Sequence, residues 1–248
     1  MYAAIGQFAV VAHRGGAAEH PENSPTALLS APRRGATHVE TDVHATRDGV
    51  IIAFHDLLLD RTTSGHGPLA ARTHAELQDV HHADGSPLLT LAELLAGLPT
   101  TPLSIDVKAP GALAGTLALI AEHDATDRVV LGSFDEQRVH AIRAHDQRLQ
   151  TTLTRREVIH LLTRPGHPVP DHPGPLLAAI PVRAGPIPVF SRRLLARAHA
   201  HGIPVHVWTV NDTGAMGRLR GMGADGLITD ELGALAAIAG TNPPAPAS

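Results

Sequence analysis

The feature that most constrains this chain is an alternation carried through almost its whole length: a short apolar run, a longer segment bounded by helix start and stop signals, then another short apolar run. The runs are Phe8 to Ala12, Thr37 to Val43, Pro102 to Val107, and residues 128–132, 149–153, 176–181, 204–209 and 225–229. Between them lie helical stretches. Ser24 is placed to cap one, with Pro25 at its first position, and that helix runs toward Gly35 with Pro32 straining its last turn. Thr90 caps another through Leu98, and further helices are expected over 112–123, 135–146, 155–162, 191–201, 212–222 and 231–239.

With Val50 to Phe54 counted as a hairpin extension of the second run across the Asp48-Gly49 turn, eight strands alternate with helices. Strands that alternate with helices pair in parallel, and eight of them close most economically into a (β/α)8 TIM barrel. The length of 248 residues suits one such barrel. No linker of distinct composition divides it. The expectation is therefore an α/β fold with a single domain over residues 1–240. The tail TNPPAPAS, residues 241–248, has the composition of a disordered end. Residues 57–88 carry turn signals around a short helical stretch near Ala75 to Val80, as a loop over one barrel mouth would.

Composition narrows the partners. A formal net charge of −4 offers no broad basic surface for nucleic acid or an anionic membrane, while a small anionic ligand remains compatible. There is no cysteine, so thiolate chemistry and disulfides are excluded. The apolar start MYAAIGQFAVVAHRGG lacks a basic leader and ends in a charged cluster, which reads as a first strand, and no run reaches the ~18 apolar residues of a membrane span. A soluble, cytoplasmic protein with no stable membrane insertion is expected. Oligomeric state has no sequence signal.

Catalytic groups in such barrels sit at the C-terminal ends of strands. His13 and Arg14 end the first strand here, Glu40 and Asp42 the second, His55 and Asp56 its hairpin, Asp106 and Lys108 the third, and Trp208 the seventh. Glu40 and Asp42 lie two apart, so the period of a strand puts both carboxylates on one face. With Asp106 they could hold one hard divalent cation, Mg²⁺ or Ca²⁺, or they could simply form salt bridges, Asp106 with Lys108 being an ordinary candidate. His13 and His55 flank the acidic face as a general acid and base would. Arg14 and Lys108 suit a phosphate, or could merely neutralise the acidic cluster. Trp208 and Phe134 read equally well as pocket lining or as core. Of the other histidines among the 18, His81, His82, His199 and His201 are expected to be solvated, while His20, His38 and His44 are open either way. Asp225 and Gly226 read as the close turn into the last strand, and no nucleotide-binding glycine motif is present.

These residues resemble the glycerophosphodiester phosphodiesterase family. HRGG, PENS where the family usually has PENT, ETDV, FHD, LDRTT, IDVK, GSFD, VWTVN and GADGLITD occur in the family's order over residues 8 to 233. The resemblance implies a barrel enzyme that hydrolyses a small-molecule glycerophosphodiester to glycerol 3-phosphate and an alcohol, using one divalent metal. It implies His13 and His55 as the acid/base pair, Glu40 and Asp42 as metal ligands, and Arg14 and Lys108 as phosphate contacts. Glu22 and Asn23 carry over as site-lining residues for the substrate or the metal's surroundings. Asp106 stands where the family commonly has the Glu of an ExK motif, a side chain one methylene longer. The short segment between FHD and the LLTLAEL helix leaves no room for the small extra domain some members insert, so an open mouth is expected. Two rival functions stand beside this one: phospholipase D-type hydrolysis of lysophospholipids or sphingolipids, and a non-catalytic module that binds a phosphate ligand.

Overall fold

Every expected strand forms where its apolar run lies. The computed structural model describes residues 2–164 and 174–241. The strands are β1 (Ala9–Ala12), β2 (His38–Ala45), β3 (Ile51–Ala53), β4 (Leu103–Val107), β5 (Val129–Gly132), β6 (Gln150–Thr152), β7 (Leu176–Pro181), β8 (Arg183–Ala184), β9 (Ile187–Pro188), β10 (Val205–Trp208) and β11 (Gly226–Thr229). Pairing runs β1-β11-β10-β7-β6-β5-β4-β2 in parallel, and β1 also pairs with β2 through Val11 opposite His38, which closes the barrel. β3 lies antiparallel on the upper half of β2, with Ala53 opposite Val43. Apart from this hairpin, β8 and β9 form a two-stranded excursion that the sequence did not announce, because strands of two residues are too short to show a period.

The helices are α1 (Pro25–Ser30), α2 (Leu91–Gly97), α3 (Pro110–Glu122), α4 (Glu136–His145), α5 (Arg155–Thr163), α6 (Arg192–Ala200), α7 (Thr213–Gly221) and α8 (Leu232–Ala239). Ser24 caps α1 as expected, its hydroxyl accepting from Ala27 N. The helix stops at Ser30 and the chain tightens into a 3-10 turn over Ala31–Arg34, since Pro32 has no N–H to continue the α ladder. Thr90 forms a reciprocal capping box with Glu93.

Alternation along each strand sorts the core into two compartments. Val10 and Ala12 of β1, Val39 and Val43 of β2, and Leu103, Ile105 and Val107 of β4 point outward and pack with Leu28, Leu91, Leu94 and Ile120 of the helices. The intervening residues point into the barrel: Ala9 and Val11, then His38, Glu40 and Asp42, then Ser104 and Asp106. Tyr2 fills the lower end beside His38 and His206, with ring centroids 4.7 and 5.7 Å away.

The loop after β3 is more ordered than its turn signals implied. It carries 3-10 turns at Leu59–Arg61, Leu69–Ala71 and Ala75–Leu77, and Leu59, Leu69, Leu77 and Leu88 form a small separate core with Ile52 and Phe54. His82 is a correction: it is buried within this loop rather than solvated, 3% exposed. His199 is half-buried and paired with Asp225 at 2.7 Å. Residues 242–248 of the tail expected to be disordered, and most of the Pro/Gly-rich stretch after α5, lie outside the described residues. Among the described residues no helix is long and apolar enough to cross a membrane.

Candidate active site

The C-terminal ends of the barrel strands converge on one mouth. At the end of β1 the chain makes a tight turn, His13–Gly15, in which Arg14 takes φ 50°, an unusual conformation for a residue with a side chain. The turn is held on both sides: Arg14 N donates to Glu40 Oε2 at 2.9 Å, and Asn23, also left-handed at φ 58°, donates its N–H to Arg14 O at 2.9 Å. Gly15 must be glycine, because at φ 87° a Cβ would lie 2.6 Å from the Ala27 backbone of α1.

Glu40 and Asp42 do share the inward face of β2, and Asp106 is the register partner of Asp42 on β4. Asp42 is 2% exposed and densely contacted: Lys108 Nζ at 2.7 Å, Arg14 Nε at 3.3 Å and Asn23 Nδ2 at 3.2 Å. Lys108 also donates to Asp106 at 2.6 Å, so the ion pair expected as the alternative to a metal site is present. Asp106 and Asp42 hold the Lys108 pKa above its ordinary value, against the opposing effect of burial. Glu40 is worse compensated. Burial disfavours its charge and neighbouring Asp42 adds repulsion, so its carboxyl is pushed up to about 7.

The two histidines have matching partners. His13 Nδ1 lies 2.7 Å from Asp230 Oδ1, and its Nε2 is 3.9 Å from Glu40 Oε2. His55 Nδ1 lies 2.6 Å from Asp56 Oδ1, and His44 Nε2 donates to the His55 carbonyl at 3.1 Å. Burial pulls the His13 pKa down, but Glu40 and Asp230 outweigh it and the net direction is up. Arg61 links the second histidine's surroundings to the first. It grips Asp56 at 2.6 Å and Glu22 at 2.7 Å, and Glu22 in turn accepts from Arg14 at 2.8 Å. Those guanidinium contacts hold the Asp56 carboxyl well below its usual range. Glu22 lies below its range too, the two arginines overcoming its burial.

Phe134 and Trp208 meet edge to face across the mouth at 6.0 Å, and Lys108 Nζ lies 5.5 Å from the Phe134 ring centroid. Phe134 is 77% exposed, so it is not part of the core. Beside His55 a groove of about 520 Å³ is lined by Asp56, Leu57, Leu58, Asp60 and Arg61.

The mouth thus gathers every singled-out site residue from β1, β2, β3, β4, β5, β10 and their loops. Among the described residues, however, the acidic/histidine group whose potential ligand atoms all lie within 4.8 Å of one another is Glu22, His55 and Asp56, not Glu40, Asp42 and Asp106. Three contributors escaped the sequence reading: Asp230, Asn211 and Arg61. Asp230 directly follows β11 and obeys the same strand-end rule as His13.

A (β/α)8 barrel with carboxylate-backed histidines and buried acids at its C-terminal mouth is the layout of a barrel enzyme. The chain belongs to the Glycerophosphoryl diester phosphodiesterase family, whose sequence profile matches residues 13–234, and it is therefore an enzyme of the phosphoric diester hydrolase class. It is 34% identical to "Probable glycerophosphodiester phosphodiesterase 2" of Mycobacterium tuberculosis over 89% of this chain and 86% of that one. It is 28% identical to a glycerophosphodiester phosphodiesterase of Caldanaerobacter subterraneus over 90% of this chain and 93% of that one. In fold it is similar to a phosphodiesterase of Oleispira antarctica solved with the product sn-glycerol-3-phosphate. The TM-score is 0.76 at 21% identity, covering 95% of this chain and 97% of that one.

Proposed function

We propose that this chain hydrolyses glycerophosphodiesters to glycerol 3-phosphate and an alcohol, with His13 and His55 as the general acid/base pair. The observation that carries the reading is the pair of Nδ1 contacts, to Asp230 and to Asp56. A neutral imidazole that donates through Nδ1 keeps its lone pair on Nε2, the nitrogen then available for proton transfer. One histidine takes the proton of the nucleophile, either water or the glycerol 2-hydroxyl, and the other gives a proton to the departing alkoxide. Each transfer is typically worth ~10² to 10⁴ in rate. Arg14 and Lys108 bring cationic groups to the phosphate, and Glu22 and Asn23 fix Arg14 and Asp42.

Glu40, Asp42 and Asp106 are the proposed holders of one Mg²⁺ or Ca²⁺. Their chemistry fits: all three donate oxygen, two are buried, and the raised pKa of Glu40 marks negative charge for which its protein neighbours do not compensate. A bound divalent cation would act there as a Lewis acid that offsets phosphate charge.

A second reading rests on the apolar groove. Leu57 is 70% exposed and Leu58 49% exposed beside His55, a wall suited to an acyl chain and hence to a lysophospholipid substrate of phospholipase D type. Choline release from glycerophosphocholine and from lysophosphatidylcholine, measured with added Mg²⁺ or Ca²⁺, tests both. Turnover of the first supports the proposal, and preference for the second substrate transfers it to the lysophospholipid reading. Tight binding of glycerol 3-phosphate with no turnover of either would leave only a phosphate-binding module.

A further inference from the structure

The carboxylate behind His13 is itself locked. Asp230 Oδ1 meets His13 Nδ1 at 2.7 Å, and Asp230 Oδ2 accepts from Asn211 Nδ2 at 2.7 Å. The Asn211 amide is oriented without ambiguity. Its oxygen accepts from Asp230 N at 3.0 Å and from Thr229 Oγ1 at 3.1 Å, so its NH₂ must face the carboxylate. The three residues come from the ends of three barrel strands: His13 follows β1, Asn211 follows β10 and Asp230 follows β11.

We propose that Asp230 is the positioning residue of His13, holding the ring in its Nδ1–H tautomer with Nε2 toward Glu40, and that Asn211 sets which way Asp230 can act. This rests on the reading of His13 as an acid/base group. The hydrogen-bond directions make a specific demand. In Asp230→Asn the new amide must still offer an oxygen to the Asn211 NH₂, so its own NH₂ takes the place of Oδ1 and points at His13 Nδ1. That nitrogen must then accept, and the ring shifts to the Nε2–H tautomer. Exchanging the two residues reverses the demand. In the double variant Asp230→Asn/Asn211→Asp, the carboxylate at 211 takes the amide NH₂, the amide oxygen turns to His13, and Nδ1–H is restored.

Steady-state kinetics of the full chain with added divalent cation, together with ¹⁵N NMR of the His13 ring, tests this. Asp230→Asn is expected to lower kcat by ~10² to 10⁴ with KM little changed, the loss seen when a catalytic triad is given the wrong tautomer being on the order of 10⁴. Its spectrum is expected to show Nε2–H in place of Nδ1–H, at an unchanged Tm. The exchange variant should recover most of the lost rate, a rescue that loss of a merely structural contact would not give. Wild-type kcat in Asp230→Asn, or an Nδ1–H ring in that variant, overturns the proposal. His13→Ala separates the two levels: if it retains turnover, the acid/base reading itself fails, whereas an inactive His13→Ala beside a fully active Asp230→Asn removes only the positioning role. Should Asp230→Asn fold poorly, Asp230→Ala, which removes the acceptor altogether, is expected to lower kcat and give a mixture of tautomers, and an unmixed Nδ1–H ring there counts against the proposal.

Discussion

Asp42 and Asp106 stand opposite each other in register on two adjacent parallel strands, and the Lys108 ammonium lies between their carboxylates at 2.7 and 2.6 Å. A cation already bridges the two acids. If they also hold a divalent ion with Glu40, chelation with EDTA should abolish hydrolysis and added Mg²⁺ or Ca²⁺ should restore it. Asp106→Asn should weaken cation affinity by about 10- to 100-fold or more, given that even groups outside the ligand set alter it by that much. Asp106→Glu, with the longer side chain usual in the family, should tighten it. Isothermal titration with each ion measures both, and unchanged affinity in Asp106→Asn would remove Asp106 from the ligand set.

If Glu40 holds the cation, binding should depend on pH. Its carboxyl is pushed from an ordinary value of 4.5 up to about 7 by burial and by Asp42. Between those values the folded protein holds a proton that the unfolded chain has released. The group's contribution to stability in the cation-free protein is therefore fully present below about 4.5 and lost as pH rises through about 7. A cation needs the carboxylate, so its affinity runs the other way and rises through the same window. Titration in buffers of different ionisation enthalpy should show about one proton released per ion near pH 6 and fewer near pH 8. Equal release at both would contradict the raised pKa.

Gly15 and Gly49 share φ 87° but not their surroundings: a Cβ on Gly15 meets the α1 backbone at 2.6 Å, whereas nothing lies within 4 Å of one on Gly49. Gly49→Ala should cost only the left-handed strain, about 1 to 2 kcal/mol, with kcat unchanged. Gly15→Ala should cost more and also lower kcat, because the turn that must shift carries His13 and Arg14. Chemical denaturation and steady-state kinetics on the pair separate strain from displacement.

Away from the mouth, Arg143 and Glu157 form a buried two-pronged pair, at 2.6 and 3.0 Å, that ties α4 to α5. Glu157→Gln leaves the guanidinium without its counter-charge and should cost about 3 to 5 kcal/mol, with Tm falling on the order of 10 °C. Arg143 holds the Glu157 pKa below its ordinary value despite burial, so the pair's contribution is present above that ordinary value and fades as pH falls through the folded pKa. Calorimetry of the variant, and of the parent across acidic pH, checks both. A Tm within a degree or so of the parent's would show that the pair contributes little.

Most of the candidate site could be read from the chain because two local rules bring its residues to one mouth. Strand period put Glu40 and Asp42 on one face, and the strand-end rule picked out His13, His55, Asp106, Lys108 and Trp208. Asp230 obeys the same rule and was still missed, since its chain neighbours Thr229 and Glu231 give no sign that it faces His13, 217 residues earlier. Arg61 reads as one charge in a loop, and only folding brings it to Glu22, 39 residues away. His82 was misread for a related reason: a polar dipeptide in a turn-rich segment looks solvated until that segment is seen to carry its own apolar cluster.

By itself, then, the sequence determined the barrel, the order of its strands and the side of each strand that faces inward, because these follow from periodicities of a few residues and from turn and cap residues that act on their neighbours. Tertiary structure decided which charges meet. Pairing of β1 with β11 brings Asp230 to His13, and the register of β2 on β4 sets Asp42 opposite Asp106. Partner choice among ionisable groups depends on distances across the barrel and on burial, neither of which is written in local sequence.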